Sequence, residues 1–244
     1  QEDAPANNAA QTTLSQYFPV NPQDAPSTVD AKVAQRRPRR FVAHDFPSVR
    51  ALQAKFEADG ADLHLVPILK DAFFVGVISP SYAVLQSTTS LYLAHLPVIL
   101  HDLVYQQVIY TLGTANTIDF DPPIDVATAV LAVKDASAHA KETLLQHRLL
   151  LLDFFGITVS EDGLLTSIPD LLPGFLPAPA GIARFIAALA DVNWELELEC
   201  IDAIATALAD LFCVLPYDVP LEQLNTTVGT VLMPYIKNNL VPQQ

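Results

Sequence analysis

The stretch FFVGVISPSYAVLQSTTSLYLAHL, residues 73–96, constrains the fold more than any other part of the chain. Its apolar residues come in three runs of strand length, separated by Ser79-Pro80-Ser81 and by Thr88–Ser90. Short turns between runs of this kind predict an antiparallel meander. With a period of two, Phe73, Val75 and Val77 share one face of the first strand, and Phe74, Gly76 and Ile78 share the other. Both faces are apolar, so each needs a cover. The helices predicted on either side supply one.

Before the meander, PSVRALQAKFEAD begins with Pro47 at a helix-entry position, and Val49, Leu52 and Phe56 recur at helical spacing up to Gly60. ADLHLVPILKD predicts a short helical segment broken near Pro67. After the meander, Pro97 opens a helix over 97–112 with Leu100, Leu103, Val104, Val108 and Leu112 as its apolar stripe. TIDFDPP reads as an extended segment ended by its prolines. Helices over 124–134 and 138–155 follow, the second stopping at Gly156. ITVSEDGLLTSI carries a hairpin signal at Asp162-Gly163. Beyond the Pro-rich loop PDLLPGFLPAPAG come helices over 181–190, over 194–213 capped by Asn193, and over 227–239 capped by Thr226 or Thr227. Mixed helices and hairpins, without βαβ alternation, define an α+β class.

Composition narrows the function. The formal charge is −14, which opposes a domain whose main task is gripping phosphate backbones. Positive charge gathers in one place, Arg36, Arg37, Arg39 and Arg40, read here as a nuclear-import cluster at the end of a disordered linker over residues 1–40. The chain starts Gln-Glu-Asp and its one methionine is Met233, so it reads as a fragment or a processed product. No apolar run reaches membrane-span length without interruption. Cys200 and Cys213 fall in one predicted helix, roughly 20 Å apart at about 1.5 Å per residue, too far to pair. They read as buried thiols in a reducing compartment.

Chemistry is hard to find. The sequence has no G-x-S-x-G, P-loop, dinucleotide fingerprint or H-E-x-x-H. His95, His101 and Asp102 lie close together, but a metal site there needs a third ligand from elsewhere. Glu195, Glu197, Glu199 and Asp202 spread around a helix and read as its solvated start. These features describe an interaction domain.

The order of motifs adds a resemblance. FFVGVISPSYAVLQ, TSLYLAHL, LVYQQVIY, SIPDLLPGFLPAP, LADVNWELELECI and TVGTVLMPYIKNNLVPQQ follow one another over residues 40–244. In that order they resemble the C-terminal domain of the shared, MLH-type subunit of eukaryotic MutL mismatch-repair heterodimers. The resemblance implies a two-lobed domain: a dimerisation lobe of residues 41–115 with 223–244, and an inserted helical outer lobe of 116–222. It implies a PMS-type MutL partner on the open sheet, with Phe73, Val75, Val77, Tyr82, Val84, Leu91 and Leu93 as candidate interface. Peptides of other repair proteins are further implied partners.

Endonuclease-active MutL subunits carry D-Q-H-A-x-x-E after the second strand; the matching place here reads Leu85-Gln86-Ser87-Thr88. Neutral Leu, Ser and Thr do not replace those metal ligands. The resemblance thus implies no catalytic residue, metal or other cofactor in this chain. Metal would belong to the partner, and ATP to an N-terminal domain outside this sequence. DNA would be met only indirectly, and the location would be nuclear. Two rival readings are an α+β adaptor that binds peptides and a self-sufficient hydrolase.

Overall fold

The computed structural model describes residues 46–57, 62–134 and 136–243. The expected linker, the cluster Arg36, Arg37, Arg39 and Arg40, all but the last residue of the expected strand FVAHDF, and Gly60 lie outside the described residues. Within them, two small antiparallel sheets are flanked by helices, an α+β arrangement. Contacts divide the chain into two compact units.

One unit holds the described part of Val42–Leu112, with Leu171–Ala178 and Val192–Gln244. It begins with α1 (Pro47–Glu57) and α2 (Leu65–Asp71). Asp62 starts α2: its Oδ1 accepts the N–H groups of His64 and Leu65 at 2.8 and 3.2 Å. Pro67 does not break α2, because it occupies the third helical position, where no intrahelical N–H is needed. The meander follows as β1 (Phe73–Ser79), β2 (Tyr82–Ser87) and β3 (Ser90–His95), in the order β1-β2-β3.

Next comes α3 (Leu96–Tyr110), with Pro97 in its first turn. Leu96, Leu100, Leu103, Val104, Val108 and Ile109 are all buried on it, whereas Leu112 lies beyond its end and is half-buried. The same unit contains α7 (Glu197–Phe212), which packs along α3. Residues 192–243, α7 among them, share this unit with α3. The apolar face of α7, from Ile201 and Ile204 to Leu208 and Leu211, finds its cover in this unit. Asn193 does not cap α7 itself. Its Oδ1 accepts the Glu195 N–H and its Nδ2 donates to Glu199, so it ties a turn that precedes the helix.

The last helical stretch starts earlier than expected, with α8 (Leu221–Thr227), and continues through wider π turns at Val228–Leu232 into α9 (Met233–Asn239). Thr226 and Thr227 are not caps; their hydroxyls donate to the carbonyls of Glu222 and Gln223, one turn back. Pro234, lacking an N–H, accounts for the widened turns just before it. Gln106 of α3 is 1% exposed and holds the end of the chain: Nε2 donates to Val241 O at 2.7 Å, and Oε1 accepts the Val241 N–H at 3.0 Å. Cys200 is buried and Cys213 half-buried, and both are free thiols.

The other unit comprises Gly113–Asp170 and Pro179–Asp191 in the described residues. Its sheet has β4 (Thr117–Asp125), β5 (Thr158–Val159) and β6 (Leu164–Pro169) in the order β4-β6-β5. Pro122 and Pro123 do not end β4. They fall in a register irregularity between Asp119 and Ile124, where the ladder asks no donor of them. The Asp162-Gly163 hairpin is present, with Gly163 at φ +81°. Helix α4 (Val126–Val130) is shorter than expected, and its Asp125 cap accepts the Thr128 N–H. Then come α5 (Ala140–Gln146), a helical run through Leu151–Phe155 closed by left-handed Gly156, and α6 (Ile182–Ala190) packed on α4 and α5.

Gly229 allows the π turns to approach β1. A Cβ there would meet Phe74 Cε1 at 2.9 Å and Cδ1 at 3.0 Å. Gly229→Ala is expected to push the Phe74 ring out of place and destabilise the domain by about 1–3 kcal/mol, read as a lower denaturation midpoint in urea with unchanged slope.

Candidate functional site

The meander divides its side chains between two environments. Ala83, Leu85 and Ala94 are buried, with Phe74 and Val77 half-buried, on the face toward the helices. The other face is open among the described residues. Phe73 is 70% exposed, Val75 52%, Tyr82 40%, Leu91 70% and Leu93 64%. Cross-strand pairing sets them together: Phe73 opposes Gln86, Gln86 opposes Leu91, Val84 opposes Leu93, and Tyr82 opposes His95. Val84 lies on the central strand and is half-buried by these neighbours.

Six of the seven candidate residues are thus on or beside one surface. Val77 is not. The register shifts between Phe74 and Gly76, so Val75 is an extra residue in β1 and the alternation slips by one. Gly76 then opposes Val84 on the open face, while Val77 opposes buried Ala83. A strict period of two misplaced Val77 because a bulge leaves no mark in hydrophobic alternation. Ile78, 57% exposed at a second register shift, was missed for the same reason. A glycine inside a strand was the one available signal of the bulge.

The two ends of the surface differ. Near the β1–β2 turn the Tyr82 and His95 rings lie 5.0 Å apart, and the Ser81 and Tyr217 hydroxyls are 3.2 Å apart. At the outer side of β1, Asn225 of α8 accepts the Val77 N–H at 2.9 Å. No Asp, Glu, Lys or Arg lies in β1, β2 or β3. This surface is apolar and neutral, and three adjacent strands form it.

His95, His101 and Asp102 gain no third ligand among the described residues. Among the described residues, no three or more His, Cys, Asp or Glu side chains are placed to hold a metal ion. His101 instead lies between Asp102, 3.7 Å from Nδ1, and Asp210 of α7, 3.5 Å from Nε2. Asp102 does most to raise its pKa, burial opposes that, and the Asp210 charge adds to the rise. Tyr105, one turn along α3, donates to Asp202 of α7; burial first, then this carboxylate, raises its pKa. Both pairs tie α3 to α7, a structural task. Burial raises the pKa of Cys200, and burial first, then Asp210, that of Cys213, so neither has the lowered pKa of a nucleophilic thiol. No helix among the described residues is long and apolar enough to cross a membrane.

The described residues thus form an α+β domain in which one face of the first sheet is apolar, neutral and open. Residues 45–244 match the family described as DNA mismatch repair protein Mlh1 C-terminus, and the chain belongs to that family of MutL homologues. It is 26% identical over 200 residues to the DNA mismatch repair protein Mlh1 of Dictyostelium discoideum, covering 75% of this chain and 22% of the relative. It is 27% identical over 181 residues to the putative MutL protein homolog 1 of Schizosaccharomyces pombe, covering 70% of this chain and 26% of that relative. The chain therefore spans about a quarter of the length of the curated relatives it matches.

The sign of the His101 effect follows from its raised pKa. The protonated form is favoured by folding, so the contribution is fully present below the unfolded pKa and lost as pH rises through the folded one. With both carboxylates partly exposed, it amounts to at most about 0.2–1 kcal/mol. His101→Gln is expected to destabilise the chain more at pH 5.5 than at pH 8.5, measured by paired urea melts.

Proposed function

We propose that this chain is a non-catalytic dimerisation domain of a MutL homologue in DNA mismatch repair, and that it pairs with a PMS-type endonuclease subunit through the open face of its first sheet. The observation that carries the reading is that face. At the exposures above, and about 170 Å² per fully exposed side chain, Phe73, Val75, Tyr82, Leu91 and Leu93 present roughly 500 Å² of mainly apolar surface. That is near the upper end of what a typical monomer leaves in water, about 300–600 Å². Covering it is worth ~12 kcal/mol before costs, at about 25 cal/mol per Å². Association itself costs an estimated 4–15 kcal/mol. The face alone is therefore enough to drive encounter, but only marginally enough to hold a dimer.

The remaining assignments follow from the family. The metal for nicking would be held by the partner, since Leu85-Gln86-Ser87-Thr88 offers no carboxylate or imidazole where the endonuclease motif would stand. ATP would be bound by a separate N-terminal domain. The dimerisation lobe would be built around β1, β2 and β3, with the arginine cluster directing the protein to the nucleus. Peptides of other repair proteins are further candidate ligands.

The test is mass by light scattering after size exclusion, for this chain alone and mixed with a PMS-type C-terminal domain. A mixed dimer is expected, and Leu91→Asp or Leu93→Asp is expected to abolish it while leaving the thermal midpoint of the chain nearly unchanged. Val77→Asp serves as contrast: facing the helices, it is expected to unfold the domain. Manganese-dependent nicking of supercoiled DNA by the pure chain would favour an independent hydrolase. A monomer indifferent to MutL partners would favour the adaptor.

A further inference from the structure

The first sheet has two edges, and the fold treats them differently. Along β1, α8 packs beside the strand, Asn225 takes the Val77 N–H, and two register shifts interrupt the row of donors and acceptors. These are devices that keep an edge from pairing. β3 has none of them. Its sequence, SLYLAH, contains no proline, lysine or carboxylate, and its pairing with β2 runs without a bulge from Tyr82↔His95 to Ser87↔Ser90. No described residue hydrogen bonds to its outer side.

The hairpin geometry fixes which groups face outward. A two-residue turn at Thr88-Thr89, with Thr88 at φ 53°, closes on Ser87 and Ser90, which makes that pair a hydrogen-bonded one. Antiparallel alternation then places Leu91, Leu93 and His95 in non-hydrogen-bonded pairs, with their N–H and C=O groups directed away from β2. The same three residues carry exposed side chains on the open face. One strand thus offers unpaired backbone groups and apolar contact area together.

The area argues for using both. Roughly 500 Å² of open face falls short of the ~800 Å² that each partner gives to a stable interface. The outer edge of β3 adjoins that face, directly beside Leu91 and Leu93. A second copy of this chain would bring the same charge of −14 with it, an unfavourable term that a different partner need not carry.

We propose that an extended segment of the MutL-type partner adds to β3 as a fourth strand, hydrogen bonding to Leu91, Leu93 and His95 while its own apolar side chains cover the two leucines. The proposal rests on the dimerisation reading and adds the mode of contact.

The test uses the chain labelled with ¹⁵N-leucine, free and in complex with a PMS-type C-terminal domain, with amide hydrogen exchange read by NMR. The amides of Leu91 and Leu93 are expected to slow by tenfold or more in the complex, with Leu85, already within the sheet, as internal reference. Leu93→Pro is expected to weaken the mixed dimer at least tenfold beyond Leu93→Ala, because it removes the outward N–H that an edge strand can otherwise spare. Should Leu93→Pro fail to fold, the exchange measurement on the unaltered chain still decides.

Unchanged Leu91 and Leu93 exchange in a mixed dimer that Leu91→Asp breaks would overturn strand addition and leave the face reading intact. Absence of any mixed dimer would remove the reading beneath it. Concentration-dependent protection in the chain alone would make a second copy the occupant and overturn the assignment to a different partner.

Discussion

The buried helix Leu96–Tyr110 is the constraint on which its unit depends. Six of its apolar side chains are almost fully removed from water: Leu96, Leu100, Leu103, Val104 and Val108 share one stripe, and Ile109, with Gln106, is buried outside it. A helix buried on several sides needs neighbours on each of them. Pro47–Glu57, Glu197–Phe212, Met233–Asn239 and the third strand of the first sheet supply these neighbours. Its polar groups are placed with equal economy. Gln106 satisfies both backbone groups of Val241, and His101 and Tyr105 reach acidic side chains of Glu197–Phe212. A buried glutamine left unsatisfied would cost about 1–3 kcal/mol, so its pairing with the chain's final residues is part of why those residues dock.

With the helices committed to one face of the sheet, the other face is left open among the described residues. This is the physical link between the core and the proposed function. The inward positions Ala83 and Ala94 are small, which lets helices come close, while the outward Leu91 and Leu93 are large. Natural surfaces rarely place such side chains on a flat, uncharged sheet without a partner. The guarded edge at Phe73–Ser79 and the open one at Ser90–His95 give that face a direction in which an assembly can grow.

Much of this was legible in the sequence because it depends on local chemistry. The meander, its turns, the long apolar helix after it, the Asp162-Gly163 hairpin and the stop at Gly156 all announce themselves through spacing and turn residues. Where the reading failed, the cause was tertiary. Pro67 sits in a first turn, Pro122 and Pro123 sit in a bulge, and Thr226 and Thr227 lie inside a helix that starts five or six residues earlier. In each case a residue with a strong local preference was placed where that preference is not exercised.

By itself the sequence determined the class of the fold, the apolar character of both sheet faces and the order of motifs that marks the MutL family. The first two follow from residue type and period alone; the third is a resemblance carried by the order of the motifs. The tertiary structure decided which face stays open, because helices from distant parts of the chain had to choose one side. It also decided that Val77 points inward, since an extra residue at Val75 reverses the alternation until the second register shift, between Val77 and Ser79. Edge protection was likewise a tertiary matter: Asn225 lies 148 positions from the N–H it caps, beyond the reach of any local pattern.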